Sequence, residues 1–454
     1  MSSRIVIIGA GSRQFGPATI GDILLSDAIC GGGADVVLMD SNADSLPRVA
    51  SFAQRAAARL GRSIRFSATS DLESSLRDAD FVITAIEIKR YFFWAQDFHI
   101  PRKYGFSQIY GENGGPGGLF HALRNMGPTL EIAQAMERLC PRAVLLNYTN
   151  PLTKLCELLA NHAEIKTIGL CHGVYQGMRQ VARFLEMDVE DLAAVASGLN
   201  HFTWFQSIRD RRSSEDLYPR LREAERNAHW LAEWDEIALS RILFRTYGLY
   251  PSPGANHIGE YLGFAGEFLA SSALQFFYDR REGHPWDTGD IPTWIYNLEA
   301  QPTSTPLYPE APVDTVSSRR RKPDDDLKAS GELAIPIIES LACGIEHDLD
   351  AVDVCNSGYV PGLPEDAVVE VPASSDASGL HPATMDPLPE GILAHMRNQV
   401  SINKLLAEAF MKRKREPLLQ ALLLDPTVDS YQRAVDLINE MCDLQRDVLP
   451  DLRW

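Results

Sequence analysis

Five short apolar runs, separated by stretches of helical periodicity, limit the possible folds of this chain more than any other feature. They are residues 4–9 (RIVIIG), 35–40 (DVVLMD), 79–87 (ADFVITAIE), 142–147 (RAVLLN) and 166–170 (KTIGL). Apolar strands alternating with helices imply a parallel sheet covered on both faces. The expected fold is therefore α/β, a Rossmann-like doubly wound parallel sheet over 1–196, followed by a second, mainly helical α+β domain over 197–454. In such sheets ligands collect beyond the carboxyl ends of the strands. The residues there are Gly9-Ala10-Gly11-Ser12, Asp40, Thr84 to Glu87, Asn147 to Pro151, and Cys171-His172-Gly173. Five separate segments thus converge on one crevice.

Gly9 and Gly11 permit a tight strand-to-helix turn whose backbone N–H groups can approach a pyrophosphate at a helix N-terminus. Gly16 stands two places later than the GxGxxG spacing would put it. Asp40 closes the second strand, where a carboxylate bonds the ribose hydroxyls of NAD and repels a 2′-phosphate. NAD is the expected cofactor, with Gly9, Gly11, Ser12, Asp40, Thr84 and Asn147 as its binding residues.

The formal charge of −18 argues against a nucleic-acid partner. No apolar run reaches eighteen residues, and the first residues lack the organisation of a signal peptide. Seven cysteines without a CxxC pair fit a reducing compartment, so a cytoplasmic location is expected.

Cys171 and His201 pair a thiolate with an imidazole, a donor set suited to divalent Mn, Fe, Co, Ni or Zn. A buried cysteine and a satisfied histidine would have the same spacing. The context is more specific: IVIIGAGS (5–12), GPGGLFHALRNMGP (115–128), LLNYTNPL (145–152), GLCHGV (169–174), GLNHFTWF (198–205), HIGEY (257–261) and SGELAIPII (330–338) occur in order. With these motifs the chain resembles glycoside hydrolase family 4, the NAD- and metal-dependent glycosidases.

The resemblance implies oxidation at C3 of a sugar, deprotonation at C2, elimination of the aglycone, addition of water and re-reduction. It makes Cys171 and His201 the ligands of a divalent ion, with manganese the first choice. Asn150 would touch substrate hydroxyls, joined by Arg124, Glu112 and Asn113 around a GPGG turn. His172, His257 and Tyr261 are the catalytic candidates; the acid that some members carry in the second domain aligns with Ala255. A homodimer or homotetramer is implied. The Cys-His segment argues for non-phosphorylated sugars: an α-galactoside-like substrate or an α-hexuronide. A dehydrogenase of the lactate/malate type, acting on a hydroxy acid or sugar, is the main rival, and a non-enzymatic NAD sensor a distant one.

In the second half, helices are expected over 218–248 and over 392–449, the latter broken at Asp425-Pro426. Residues 301–326, rich in Pro, Ser and charge, read as a solvated loop.

Overall fold

The computed structural model describes residues 3–13, 15–227, 234–268, 291–300 and 327–454; the expected loop at 301–326 lies outside them. Six parallel strands form the first half: β1 (Ser3–Ile8), β2 (Ala34–Met39), β3 (Arg65–Thr69), β4 (Phe81–Thr84), β5 (Val144–Asn147) and β6 (Lys166–Gly169). Their order is β3-β2-β1-β4-β5-β6, so the chain reverses its winding between β1 and β4. Five of these strands are the five apolar runs. The sixth, β3, is at the edge and carries no fully buried residue, which is why no apolar run announced it.

Alternation along each strand divides the core. Val6, Ile8, Val82 and Leu145 pack on one face, and Ile5, Ile7, Val36, Ile83 and Leu146 on the other. Each such side chain, fully buried, contributes about 1.5–3 kcal/mol.

The sheet does not end at β6. It continues through β10 (His347–Cys355), β11 (Val368–Asp376), β7 (Leu192–Leu199), β8 (Phe202–Asp210) and β9 (Tyr250–Ser252), with β12 (Gly379–Pro382) paired to β11. Here the pairing is antiparallel. The boundary expected at 196/197 falls inside β7.

The segment expected as a GPGG turn is instead the first turn of a long helix, Gly115–Leu139. Pro116 is tolerated there because the first N–H groups of a helix have no internal partner. Gly117 is required by proximity: a Cβ would lie 2.2 Å from the Asp97 carbonyl oxygen. The C-terminal helical region forms three helices, Glu390–Lys412, Arg415–Leu424 and Tyr431–Leu444. One break is at Asp425-Pro426, as expected. The other is at Arg413, whose left-handed φ of 56° ends the first helix. Among the described residues, no helix is long and apolar enough to cross a membrane.

Candidate active site

The glycine turn after β1 is built by close approach. Gly9 has φ +87°, and a Cβ there would fall 2.2 Å from the Ala85 carbonyl oxygen. The Asp40 carboxylate accepts the Gly11 N–H at 2.8 Å and the Asn42 N–H at 2.9 Å. It therefore braces the turn from the end of β2 and marks its outer rim. The Ser12 hydroxyl accepts the Phe15 N–H at 3.2 Å, capping the helix that follows. Gly16 packs this helix onto the turn, since a Cβ would meet the Ala10 carbonyl oxygen at 2.1 Å. Thr84 and Asn147 do not present free side chains to the crevice. Thr84 donates to Asn147 Oδ1 at 2.8 Å, and the Asn147 amide is otherwise bonded to Thr149 and to Cys156 Sγ. Both are buried, so they lock the ends of β4 and β5 beneath any cofactor.

At the carboxyl end of β6, separated from this turn by β4 and β5, Cys171 Sγ lies 3.4 Å from His201 Nε2. Two ligands about 2.3 and 2.1 Å from one ion would be separated by a similar distance. Burial, with Glu370 and Asp353 nearby, pushes the Cys171 thiol up. Burial and the neighbouring His257 hold His201 down to about 3, so its imidazole is neutral and can donate a lone pair. His257 is also lowered by burial, and its ring centroid is 4.4 Å from that of His201. His201, His257 and Glu260 present ligand atoms within 4.8 Å of one another. The Nδ1 atoms of both histidines are buried without a partner. Neutral imidazoles, a thiol 3.4 Å from His201 Nε2 and the unpartnered Nδ1 of His257 suit a divalent ion.

The Glu112–Asn113 loop is held from below. Glu260 accepts the Glu112 N–H at 2.6 Å and the Asn113 N–H at 3.0 Å. Burial and the Glu112 charge raise Glu260 to about 8. Burial works against the Glu112 carboxylate, but its ion pair with Arg90 and the nearby His257 outweigh it and bring Glu112 to about 2. Lys154 Nζ donates to the Asn113 carbonyl at 2.7 Å and sits 5.8 Å from the Tyr261 ring centroid. Tyr261 is buried, and burial pushes its phenol well above the usual range. Asn150 precedes a cis Asn150–Pro151 bond. Its carbonyl accepts from Asn125 at 2.8 Å, and its side-chain oxygen accepts the Leu152 N–H at 3.3 Å. His172 stands at the rim, its Nδ1 2.7 Å from Glu332, which raises its pKa.

Arg124, expected at the substrate, is instead sealed in the interior. It pairs with Asp97 at 2.7 Å, with both side chains fully buried, and donates to Gln445 at 2.8 Å. Two residues beside these, His121 and Glu260, went unread in the sequence, and Glu87 was read only as part of a strand end. His121 bridges Glu87 at 2.7 Å and the Glu112 carbonyl at 2.7 Å. A signal existed, because His121 and Asn125 are four residues apart on one helix face and Glu260 lies within the HIGEY motif.

Strand order and the glycine turn place the chain among α/β folds of the dinucleotide-binding type. Residues 4–187 match the family 4 glycosyl hydrolase model and 196–428 the model of its C-terminal domain, and the chain belongs to this family of glycoside hydrolases. It is 30% identical over 490 residues to an alpha-glucosidase of Erwinia rhapontici, covering 100% of both chains. It is 28% identical over 450 residues to an alpha-galactosidase of Bacillus subtilis, covering 97% of this chain and 96% of the other. In fold it resembles a crystal structure of a 6-phospho-alpha-glucosidase from gut microorganisms in complex with NAD and Mn2+, at a TM-score of 0.77, 21% identity and full coverage of both chains. Family membership sets aside the lactate/malate dehydrogenase and the sensor.

Proposed function

We propose that this chain is an NAD- and manganese-dependent glycosidase that cleaves α-linked, non-phosphorylated hexosides or hexuronides by redox-assisted elimination. The observation that carries the reading is the 3.4 Å approach of Cys171 to His201 at the same carboxyl edge of the parallel sheet as the Gly9–Gly11 turn. When bound, NAD supplies reversible hydride acceptance at C3 of the sugar, and the divalent ion supplies Lewis acidity toward its C2 and C3 oxygens. The turn at Gly9, Gly11 and Ser12, closed by Asp40, would hold the dinucleotide; Cys171 and His201 would hold the ion.

Asn150, Glu112 and Asn113 orient the sugar hydroxyls. The neutral imidazole of His257 has a lone pair available to take the C2 proton. Tyr261 keeps its proton and lines the pocket. His172, kept protonated to higher pH by Glu332, gives its proton to the departing aglycone oxygen. Relatives named for unphosphorylated sugars support the substrate class, and so does the Glu332 carboxylate beside His172, which would repel a phosphate. A cytoplasmic homodimer or homotetramer completes the reading.

The clustering of His201, His257 and Glu260 favours a second role for His257, as a third ligand of the ion. Mn2+ binding to His257→Asn separates the two: retention with loss of turnover marks the base, and loss of the ion marks the ligand. The function itself is tested with p-nitrophenyl α-glycosides (galactoside, glucoside, glucuronide, galacturonide). Release is expected only with NAD and Mn2+ together. It should be abolished by EDTA or Cys171→Ser and leave no net NADH. NADH accumulation without p-nitrophenol would refute it.

A further inference from the structure

His201 occupies an unusual backbone position for a metal ligand. β7 and β8 close on the pair Leu199–Phe202, leaving Asn200 and His201 as a two-residue connection. His201 sits there at φ +63°, in the left-handed region that is sterically unfavourable for a non-glycine residue. Such a conformation persists only where its surroundings impose it. A ligating histidine is ordinarily oriented by a hydrogen bond from its second ring nitrogen. His201 lacks that support, since its Nδ1 is buried without a partner.

The support comes through the backbone. Glu370, 1% exposed on β11, accepts the Asn200 amide at 2.9 Å with one carboxylate oxygen and meets the Thr203 hydroxyl with the other, a hydroxyl it shares with the Leu199 carbonyl oxygen at 2.9 Å. These two donors flank His201 and Phe202, so one carboxylate grips both sides of the turn. Glu370 also lies in a single cross-strand row: Gly169 on β6 pairs with Asp353 on β10, Asp353 with Glu370, and Glu370 with Gly198 on β7. Gly169 is two residues before Cys171, and Gly198 three before His201. Both ends of the row are glycines. A Cβ at Gly169 would fall 2.8 Å from the Asp353 Cβ, and one at Gly198 2.5 Å from the Phe202 carbonyl oxygen. Among the described residues neither Asp353 nor Glu370 forms an ion pair, and the Glu370 side chain is bonded to the Asn200 amide and the Thr203 hydroxyl.

We propose that Glu370 is the positioning residue of the metal centre, gripping the Asn200–His201 turn so that His201 meets Cys171 across four strands. The proposal rests on the reading of Cys171 and His201 as ligands. Glu370→Met keeps the side-chain length and removes both acceptors. Glu370→Gln keeps one acceptor and can be re-paired by rotation of the Asn200 amide. Mn2+ affinity, measured by the EPR signal of free Mn2+, is expected to fall about 10- to 100-fold in Glu370→Met, with a smaller loss in Glu370→Gln. In the Co2+-substituted protein the thiolate charge-transfer band should remain while the ligand-field bands move. NAD affinity, measured by calorimetry, should stay within about twofold, because the glycine turn is built by other strands.

If Glu370→Met does not fold, Thr203→Val and Asn200→Ala each remove one donor and should each weaken Mn2+ binding severalfold. Wild-type Mn2+ affinity in the folded variants overturns the proposal. So does a parallel loss of NAD binding, which would mark Glu370 as a general prop. Cys171→Ser and His201→Ala are run alongside. If they bind Mn2+ like the wild type, the metal reading falls and takes this inference with it. If they lose the ion while the Glu370 variants keep it, only the role of Glu370 falls.

Discussion

Replacing Arg124 by methionine tests its reassignment from substrate ligand to interior ion pair. Methionine retains much of the apolar stem but removes the guanidinium, whose Cζ lies 5.2 Å from the Phe93 ring centroid. Asp97 loses two of its three donors, the guanidinium nitrogens at 2.7 and 3.3 Å, and keeps only the Gln445 amide at 2.9 Å. Both partners are fully buried, so no water replaces what is lost. Removing one member of such a pair costs about 3–5 kcal/mol, mostly because the other charge is left uncompensated. The double variant Asp97→Leu/Arg124→Met removes both charges and should recover most of that loss. Burial already raises Asp97 despite the guanidinium beside it, and loss of Arg124 raises it further. An acid whose folded pKa exceeds its unfolded value contributes less stability as pH rises through that interval, so the penalty should grow as pH rises above the ordinary carboxylate range. Urea unfolding followed by tryptophan fluorescence reads the effect as a first-transition midpoint lowered by roughly 1 M in Arg124→Met. An unchanged midpoint with a raised KM for glycoside would refute this reasoning and return Arg124 to the substrate.

His172 should govern the alkaline limb of kcat/KM. Its pKa is raised by the hydrogen bond to Glu332, so the charged form persists above pH 6.5 and is lost as pH rises through the folded value. Glu332→Gln should move that limb to lower pH, and an unmoved limb would exclude His172 as the acid. Asp40→Ala removes the carboxylate that braces the Gly11 N–H at 2.8 Å. Loss of a hydrogen bond to a charged group costs about 1.5–3 kcal/mol. NAD affinity by calorimetry should therefore drop about 10- to 100-fold, and an unchanged affinity would remove Asp40 from the cofactor site.

The parallel strands were legible because burial on both faces forces continuous apolar runs such as RIVIIG and DVVLMD. β3 was not, since an edge strand can carry Arg65 and Ser67. The antiparallel strands β10 and β11 were largely hidden: Asp353 and Glu370 interrupt their apolar pattern at the positions that matter most to the site. The Asn200–His201 turn escaped notice because short hairpin loops are usually recognised by Asn-Gly or Asp-Gly. The approach of Cys171 to His201 and the place of Asp40 at the glycine turn were legible from strand endings and motifs. The environment of Arg124 was not, because its partners Asp97 and Gln445 lie 27 and 321 residues away in the chain. Buried ion pairs of this kind leave no periodic trace.

The joint between β6 and β10 determines how the chain can be divided. A polypeptide cut at 196 would sever β7 and strip β6 of its neighbour, exposing an unpaired strand next to the apolar residues Ile168 and Leu170. Bare edges of that kind recruit other strands and promote aggregation. The cofactor half therefore depends on strands supplied from more than 150 residues further along the chain, and the two halves should be inherited, expressed and refolded as one unit.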